Sequence, residues 1–539
     1  MGNLKSSYRR IWAGSSVVLI LLVGIVVTAL LIGRNVQFFA AQVLSIKPAP
    51  IITTSKVIID ENARPGTDSW GIPRGKDATM QIQAYTSATS VLPGHTLTFY
   101  VSTQHGGTGY SIDIYRLGWY GGAGGRLITS IQGQRGLAQG YYDAGSGHLV
   151  DCATCSVDRK TGLVEANWRP SYVLTVPPGW VTGVYLAKFT DTSGMQTYAP
   201  FDVRGNVHSA YVAVTAYTTY EAYNGWGGYS LYPYNSLNTN GLGRAVKVSF
   251  DRPYTDWYGS GGVLFYEADA IHWLERQGYD LSYISNTDLH SDPSQLLQHK
   301  VYLSLGHDEY WTNEMRDGVE HARDSGVSLA FLEANASFWQ MRFEPDSMGV
   351  PNRTIVCYKV ETRYHDLERD PLYGRDNARL TSQWRDPVIG RPENALIGVM
   401  FSDYVQQHRG FPWQLSTPAN SPLLKGTGLQ AGVPYGCALV GYEWDRVFSN
   451  GATPKGLQVL GLSYTISVNY YADTSNTTYY FAPSGAMVFA TGSVYWTTAL
   501  DGYRLVTDTL CAGQDAPVPE IQKLMTNVMQ ALATHRLPS

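Results

Sequence analysis

The sequence predicts a multidomain chain: a transmembrane helix at the amino terminus, then an antiparallel β-sandwich, then an α/β domain with a mostly parallel sheet. Three observations predict it. A long uncharged run opens the chain, short segments of alternating apolar and polar residues follow, and beyond residue 205 strand-like and helix-like segments take turns. The length of 539 residues agrees, because single cores stop growing beyond roughly 250–300 residues.

Residues 11–33 carry no charge; Lys5, Arg9 and Arg10 precede them and Arg34 follows. At about 1.5 Å per residue such a run crosses about 30 Å of hydrocarbon. It exceeds a signal-peptide core, and Phe39-Ala40-Ala41 is only a weak cleavage signal, so the expectation is an uncleaved signal anchor. The basic flank puts residues 1–10 in the cytoplasm and the bulk of the chain outside, a single-pass protein of the cell membrane. Met1-Gly2 with Ser6 also fits a myristoylation pattern, which a spanning helix makes redundant.

Residues 34–78 hold Pro48, Pro50, Pro65 and Pro73 with little hydrophobic periodicity and are expected to form a stalk. Residues 79–204 alternate with period 2 in the runs 80–84, 96–101, 111–115, 171–176 and 183–189, with Pro93-Gly94 and Pro178-Gly179 as turns. This is the expected sandwich. Trp119, Trp168 and Trp180 are more often core or edge plugs in such a fold than a sugar-binding face. Cys152 and Cys155 predict a local disulfide outside the cytoplasm, because no second ligand pair for zinc lies nearby. Cys357, Cys437 and Cys511 stand alone in sequence.

Residues 205–539 form the expected α/β domain. Residues 210–215 read as a buried strand, 264–277 as a helix stopped by Gly278, 281–284 and 300–305 as strands, 313–325 as a helix capped by Thr312, and 327–332 as a strand. Such alternation implies a covered parallel sheet whose ligands sit at the carboxyl ends of its strands.

Composition narrows the function. Charged residues make up 16% of the chain and the net charge is −4, which excludes a disordered scaffold and leaves no basic footprint for nucleic acid. Tyrosine is in surplus, 38 against 15 Phe. At strand ends, Gly306-His307-Asp308-Glu309-Tyr310-Trp311 precedes a helix, Glu333-Ala334-Asn335 ends the next strand, and the 220–232 segment is rich in Tyr, Gly and Trp. Three ionisable side chains on one short turn are costly unless paired or coordinated. A lone His-Asp-Glu is nevertheless more often a structural ion cluster than a metal site, and a Tyr/Gly/Trp loop more often packing than ligation. The patterns H-E-x-x-H, G-x-S-x-G and the Walker loop are missing, as is G-x-G-x-x-G after a strand.

These blocks make the chain similar to the N,N-dimethylformamidase large (beta) subunit family. The resemblance runs through Tyr115-Arg116-Leu117-Gly118-Trp119-Tyr120-Gly121-Gly122, the 221–228 and 230–232 segments, 249–254, 273–280, 306–311, and Ala334-Asn335 with 339–343. It implies a glutamine-amidotransferase-like α/β domain, although that fold's Cys nucleophile is replaced by His307-Asp308. It further implies one ferric ion on two tyrosines and a glutamate. Glu309 is then the carboxylate ligand and Tyr223 and Tyr232 the phenolates, with Tyr220 and Tyr229 as competitors. His307 is the implied base or proton shuttle, Asn335 the orienting amide, and Glu443 the later acid, with Asp445 second. Two phenolates and one carboxylate formally neutralise Fe3+, and zinc, which prefers His, Cys and carboxylate, ranks second. The implied reaction is hydrolysis of an amide C–N bond on a small amide substrate. A homo-oligomer is compatible with this, and no small-subunit partner is evident in the chain. The alternative expectation is a non-catalytic cell-surface protein that binds a glycan or protein on the same fold.

Overall fold

The computed structural model describes residues 53–205, 208–236, 243–407, 409–416, 420–501 and 517–538. Period-2 patterning puts Leu97, Phe99 and Val101 of strand Thr96–Thr103, and Ile112 and Ile114 of strand Gly109–Leu117, on inward faces without exposure. These two strands belong to two different sheets. One orders Ile82–Thr86, Thr96–Thr103 and Tyr172–Thr175, all antiparallel. The other orders Ser90–Val91, Gln196–Val203, Gly183–Asp191, Gly109–Leu117 and Gly125–Arg135, antiparallel apart from its short first pair. A single apolar cluster fills the space between them, with Phe99 meeting Phe189 and Phe201 edge-on. The tryptophans serve packing. Trp168 is buried against Tyr85, Trp180 stacks on Tyr185 with ring centres 5.2 Å apart, and Trp119 lies under the Arg276 guanidinium.

A seven-stranded sheet follows, in the order Leu281–Ser285, Tyr211–Thr215, Val301–Leu305, Ser328–Leu332, Met487–Ala490, Ala472–Phe481, Gln458–Ile466. The first five strands are parallel, with Tyr211 opposite both Leu281 and Val301; Ala472–Phe481 runs opposite to them, and Gln458–Ile466 pairs antiparallel with it. Every residue of the strands 211–215, 301–305 and 328–332 is buried, as expected where both faces of a parallel sheet are covered. Helix Ala268–Arg276 ends before Gly278, whose φ of 70° suits the left-handed turn that stops it. Helix Asn313–Asp324 starts where the Thr312 hydroxyl accepts the Met315 N–H at 3.1 Å.

The expected fold class and location need correction. Among the described residues no helix is long and apolar enough to cross a membrane, and the longest, Pro519–Thr534, has 16 residues. The single-pass anchor and the cell-membrane placement derived from it are not supported by the described residues, and residues 11–33 themselves lie outside them. The chain is also mostly strand, spread over many small sheets, five of them two-stranded. The expected strand–helix alternation was read only as far as residue 332. From there to residue 487 the described chain returns through short strands and hairpins, and its one α-helix is the four-residue Asn394–Ile397. Residues 53–78 differ from a stalk as well: helix Lys56–Asn62 buries Glu61 and Asn62, and Trp70 is fully enclosed. Cys152 and Cys155 are bridged, Cys357 is a buried free thiol, and Cys437 is itself disulfide-bonded.

Candidate functional site

Strand Val301–Leu305 runs into Gly306, whose φ is 78° and where an added Cβ would meet the Tyr266 Cβ at 2.8 Å. Only glycine fits that turn. The next three residues are almost wholly enclosed: His307 and Asp308 at 0% exposure, Glu309 at 2%. The Glu309 N–H donates to Thr219 Oγ1 at 2.8 Å, and the Asp308 N–H donates to the Glu333 carboxylate. The Asp308 side chain accepts from Asn286 Nδ2 at 3.0 Å, so it points away from Glu309 and fixes the turn.

Strand Tyr211–Thr215 leads into helix Tyr217–Tyr223 and then a loop through Gly227 and Gly228, both at positive φ. This segment brings two phenols onto the Glu309 carboxylate. Tyr223 Oη donates to Oε2 at 2.8 Å, while Tyr232 Oη lies 2.9 Å from Oε1 and 3.0 Å from Oε2. The two rings stack with centres 4.3 Å apart. The competing tyrosines go elsewhere. Tyr220 donates to the Glu267 carboxylate, and the buried Tyr229 ring lies beside Gly162.

On the other side of Glu309, His307 Nε2 stands 3.8 Å from Glu309 Oε2 and 3.4 Å from Glu443 Oε2. Its other polar neighbour is the Ala334 backbone, which favours the protonated ring. Asn335, held at φ 58°, donates from Nδ2 to Glu443 Oε2 at 3.0 Å and leaves its buried Oδ1 without a partner. Asp445 instead accepts the Asn335 backbone N–H at 2.8 Å. Of the two later acids, Glu443 therefore meets the imidazole and Asp445 supports the strand end.

Burial governs the electrostatics. It drives the Tyr223 and Tyr232 hydroxyls well above the usual phenol value, and the nearby Glu309 charge adds to this. It raises the Glu309 carboxyl, with Lys359 and the two phenols pulling it back, and raises Glu443 further, with Glu309 adding to the effect. It pushes the His307 imidazole down to about 4 and Asp445 up to about 7.

Sequence reasoning missed several neighbours. Tyr310 Oη donates to Tyr232 Oη at 2.6 Å, and Lys359 Nζ lies 3.4 Å from the centre of the Tyr232 ring. Tyr266 and Tyr442, joined hydroxyl to hydroxyl at 3.0 Å, place their rings 5.4 and 6.2 Å from the His307 ring. Tyr266 lies on the π-turn Val263–Glu267, a distortion common at functional sites. Tyr310 was visible inside the Gly306–Trp311 block, whereas no pattern marks Lys359. A small cavity of about 20 Å3 lies apart from all of these, lined by Tyr85, Tyr217, Arg252, Tyr254 and Arg353 among others.

The donor set suits a hard trivalent cation. Three oxygen donors converge, and in the metal-free form two phenolic protons fill the space between them. Exchanging those protons for a tripositive ion leaves two phenolates and a carboxylate around it, with no net charge to bury. Among the described residues no group of three or more His, Cys, Asp or Glu could hold a metal.

Comparisons with known proteins agree on one family. The family model for "N,N-dimethylformamidase beta subunit-like, C-terminal" matches residues 111–509. The N,N-dimethylformamidase beta subunit of Alcaligenes sp. is 22% identical over 405 residues, covering 63% of this chain and 52% of that protein. The chain thus spans about half the length of this curated relative. Among solved structures, a cycloisomaltooligosaccharide glucanotransferase of Paenibacillus sp., complexed with cycloisomaltoheptaose, covers 49% of this chain and 56% of its own at 9% identity, but a TM-score of 0.16 carries no argument. The family match takes in most of the chain and every residue of the Tyr223–Glu309–Glu443 cluster: the chain belongs to the N,N-dimethylformamidase beta subunit-like family.

Proposed function

We propose that the chain hydrolyses the C–N bond of a small amide at a mononuclear iron site formed by Tyr223, Tyr232 and Glu309. The observation that carries this reading is the convergence of two phenol hydroxyls on one buried carboxylate, with a buried imidazole 3.8 Å away. When bound, a ferric ion supplies Lewis acidity toward an amide carbonyl and toward water. Iron is the first choice and zinc the second, because the donors are hard oxygens without a His or Cys ligand.

His307 takes the proton of the attacking water at a ring nitrogen and returns it to the departing amine. Glu443, 3.4 Å from His307 Nε2, holds the imidazole oriented and balances its charge when protonated. Asn335, anchored to Glu443 through Nδ2, presents its free Oδ1 to an N–H or water at the reacting carbon. The half-buried rings of Tyr266 and Tyr442 flank the imidazole and keep bulk water away from these groups. The products are a carboxylic acid and an amine.

The test is metal analysis of the purified protein with a panel of small amides. Bound ferric iron, a purple or red phenolate charge-transfer colour and amine release are expected. Glu309→Ala should remove the metal; unchanged stoichiometry in that variant would sink the ligand assignment.

A further inference from the structure

The loop between the two candidate phenol ligands is fastened into the β-sandwich. Trp226, three residues after Tyr223, is 1% exposed and donates from Nε1 to Gln83 Oε1 at 2.9 Å. Gln83 belongs to sandwich strand Ile82–Thr86, where it also accepts the Tyr142 N–H and donates to the carbonyls of Thr79 and Tyr142. The indole of Trp226 meets Trp168 edge-on at 5.9 Å and Tyr142 at 6.2 Å. At the next residue, Gly227, a Cβ would strike Val164 at 2.7 Å, so the loop backbone lies directly on that segment.

A buried guanidinium holds the same loop from the other side. Arg252, 1% exposed, donates from Nη1 to the carbonyls of Trp226 and Tyr229 at 2.7 and 2.8 Å, from Nη2 to the carbonyl of Asn224 at 3.0 Å, and from Nε to Glu221 at 2.7 Å. Three carbonyls between residues 223 and 232 are thus tied to one planar, rigid fork. The loop cannot change length at Trp226 without breaking this fork, so the position of the indole in the sandwich is passed to both phenols.

We infer that the β-sandwich is part of the scaffold of the candidate iron site: Trp226, docked through Gln83, and Arg252 are positioning residues that set the separation of Tyr223 and Tyr232. This rests on the metal-site reading above and gives the sandwich a role beyond that of an accessory module. None of the three residues touches Glu309 through a hydrogen bond, so their effect runs through loop geometry alone.

The test uses the full chain with Gln83→Leu, Trp226→Phe and Arg252→Lys. Trp226→Phe keeps one aromatic ring but loses the indole N–H and part of the ring volume, whereas Gln83→Leu leaves the indole itself intact, which guards against a variant that fails to fold. Hydrogen–deuterium exchange of the metal-free protein should speed up across residues 221–232 and stay unchanged in strands 301–305 and 328–332. Ferric affinity, measured against a competing chelator, should fall by about 10–100-fold, the range seen when residues that orient metal ligands are lost, and the charge-transfer band should move. Unchanged exchange in all three variants overturns the anchoring, and faster exchange with unchanged affinity and band overturns its link to the site. A parent protein that takes up no ferric iron defeats the metal reading instead, and the exchange measurement still decides whether the sandwich holds the loop.

Discussion

Iron uptake by the metal-free protein should expel two protons, and this is the sharpest test of the Tyr/Tyr/Glu assignment. Tyr223 and Tyr232 each hold a proton directed at Glu309. Burial and the Glu309 charge keep both hydroxyls well above the ordinary phenol range, so both stay protonated in the metal-free protein at neutral and mildly alkaline pH. A ferric ion binds phenolate, so both protons must leave. The sign follows: apparent affinity rises with pH, by about two log units per pH unit, or about 2.7 kcal/mol for two protons. Glu309 is also raised, so the slope steepens further as pH falls into the range where that carboxyl protonates. The assay is competition against a chelator of known proton linkage, read at the charge-transfer band, with proton release counted by calorimetry in two buffers. Tyr223→Phe removes one phenol and should cut the slope by about one log unit. A slope near zero, or the same slope in Tyr223→Phe as in the parent, would refute the reasoning.

His307→Gln should retain its metal and colour while turnover falls by about 100- to 10,000-fold, the range for loss of a general acid–base group; loss of metal in this variant would place the imidazole among the ligands instead. Arg116 and Glu275 form a fully enclosed bidentate pair between the sandwich and helix Ala268–Arg276, at 2.6 and 2.7 Å. Arg116→Met strands a buried carboxylate and should cost about 3–5 kcal/mol in urea unfolding, much of which the double variant Arg116→Met/Glu275→Leu should recover. The Cys152–Cys155 bridge closes a very short loop, so replacing both cysteines with serine should cost at most about 2 kcal/mol and leave iron content unchanged.

Periodicity made the sandwich strands and the parallel strands around residues 211–332 legible, because alternating and continuous apolar runs report how many faces of a sheet are covered. It failed beyond residue 332, where short hairpins such as Gly410–Gln414 with Pro434–Gly441 bury irregular subsets of their residues and leave no period to read.

The candidate site divides along the same line. The sequence by itself determined the local pieces: the His307–Glu309 turn, Asn335 at the next strand end, a tyrosine-rich loop, and the family to which they belong. It left four tyrosines and two later acids open, since each pair is chemically alike and separated by only a few residues. The tertiary structure gives them different partners. Helix Tyr217–Tyr223 turns Tyr220 onto Glu267 and Tyr223 onto Glu309, and strand Glu443–Arg446 carries Glu443 and Asp445 on one face, where Glu443 reaches His307 and Asp445 accepts the Asn335 backbone N–H. Residue type and spacing fix which groups are available within a segment, but which hydroxyl meets which carboxylate depends on contacts between segments 47 and 86 residues apart, and those exist only once the chain is folded.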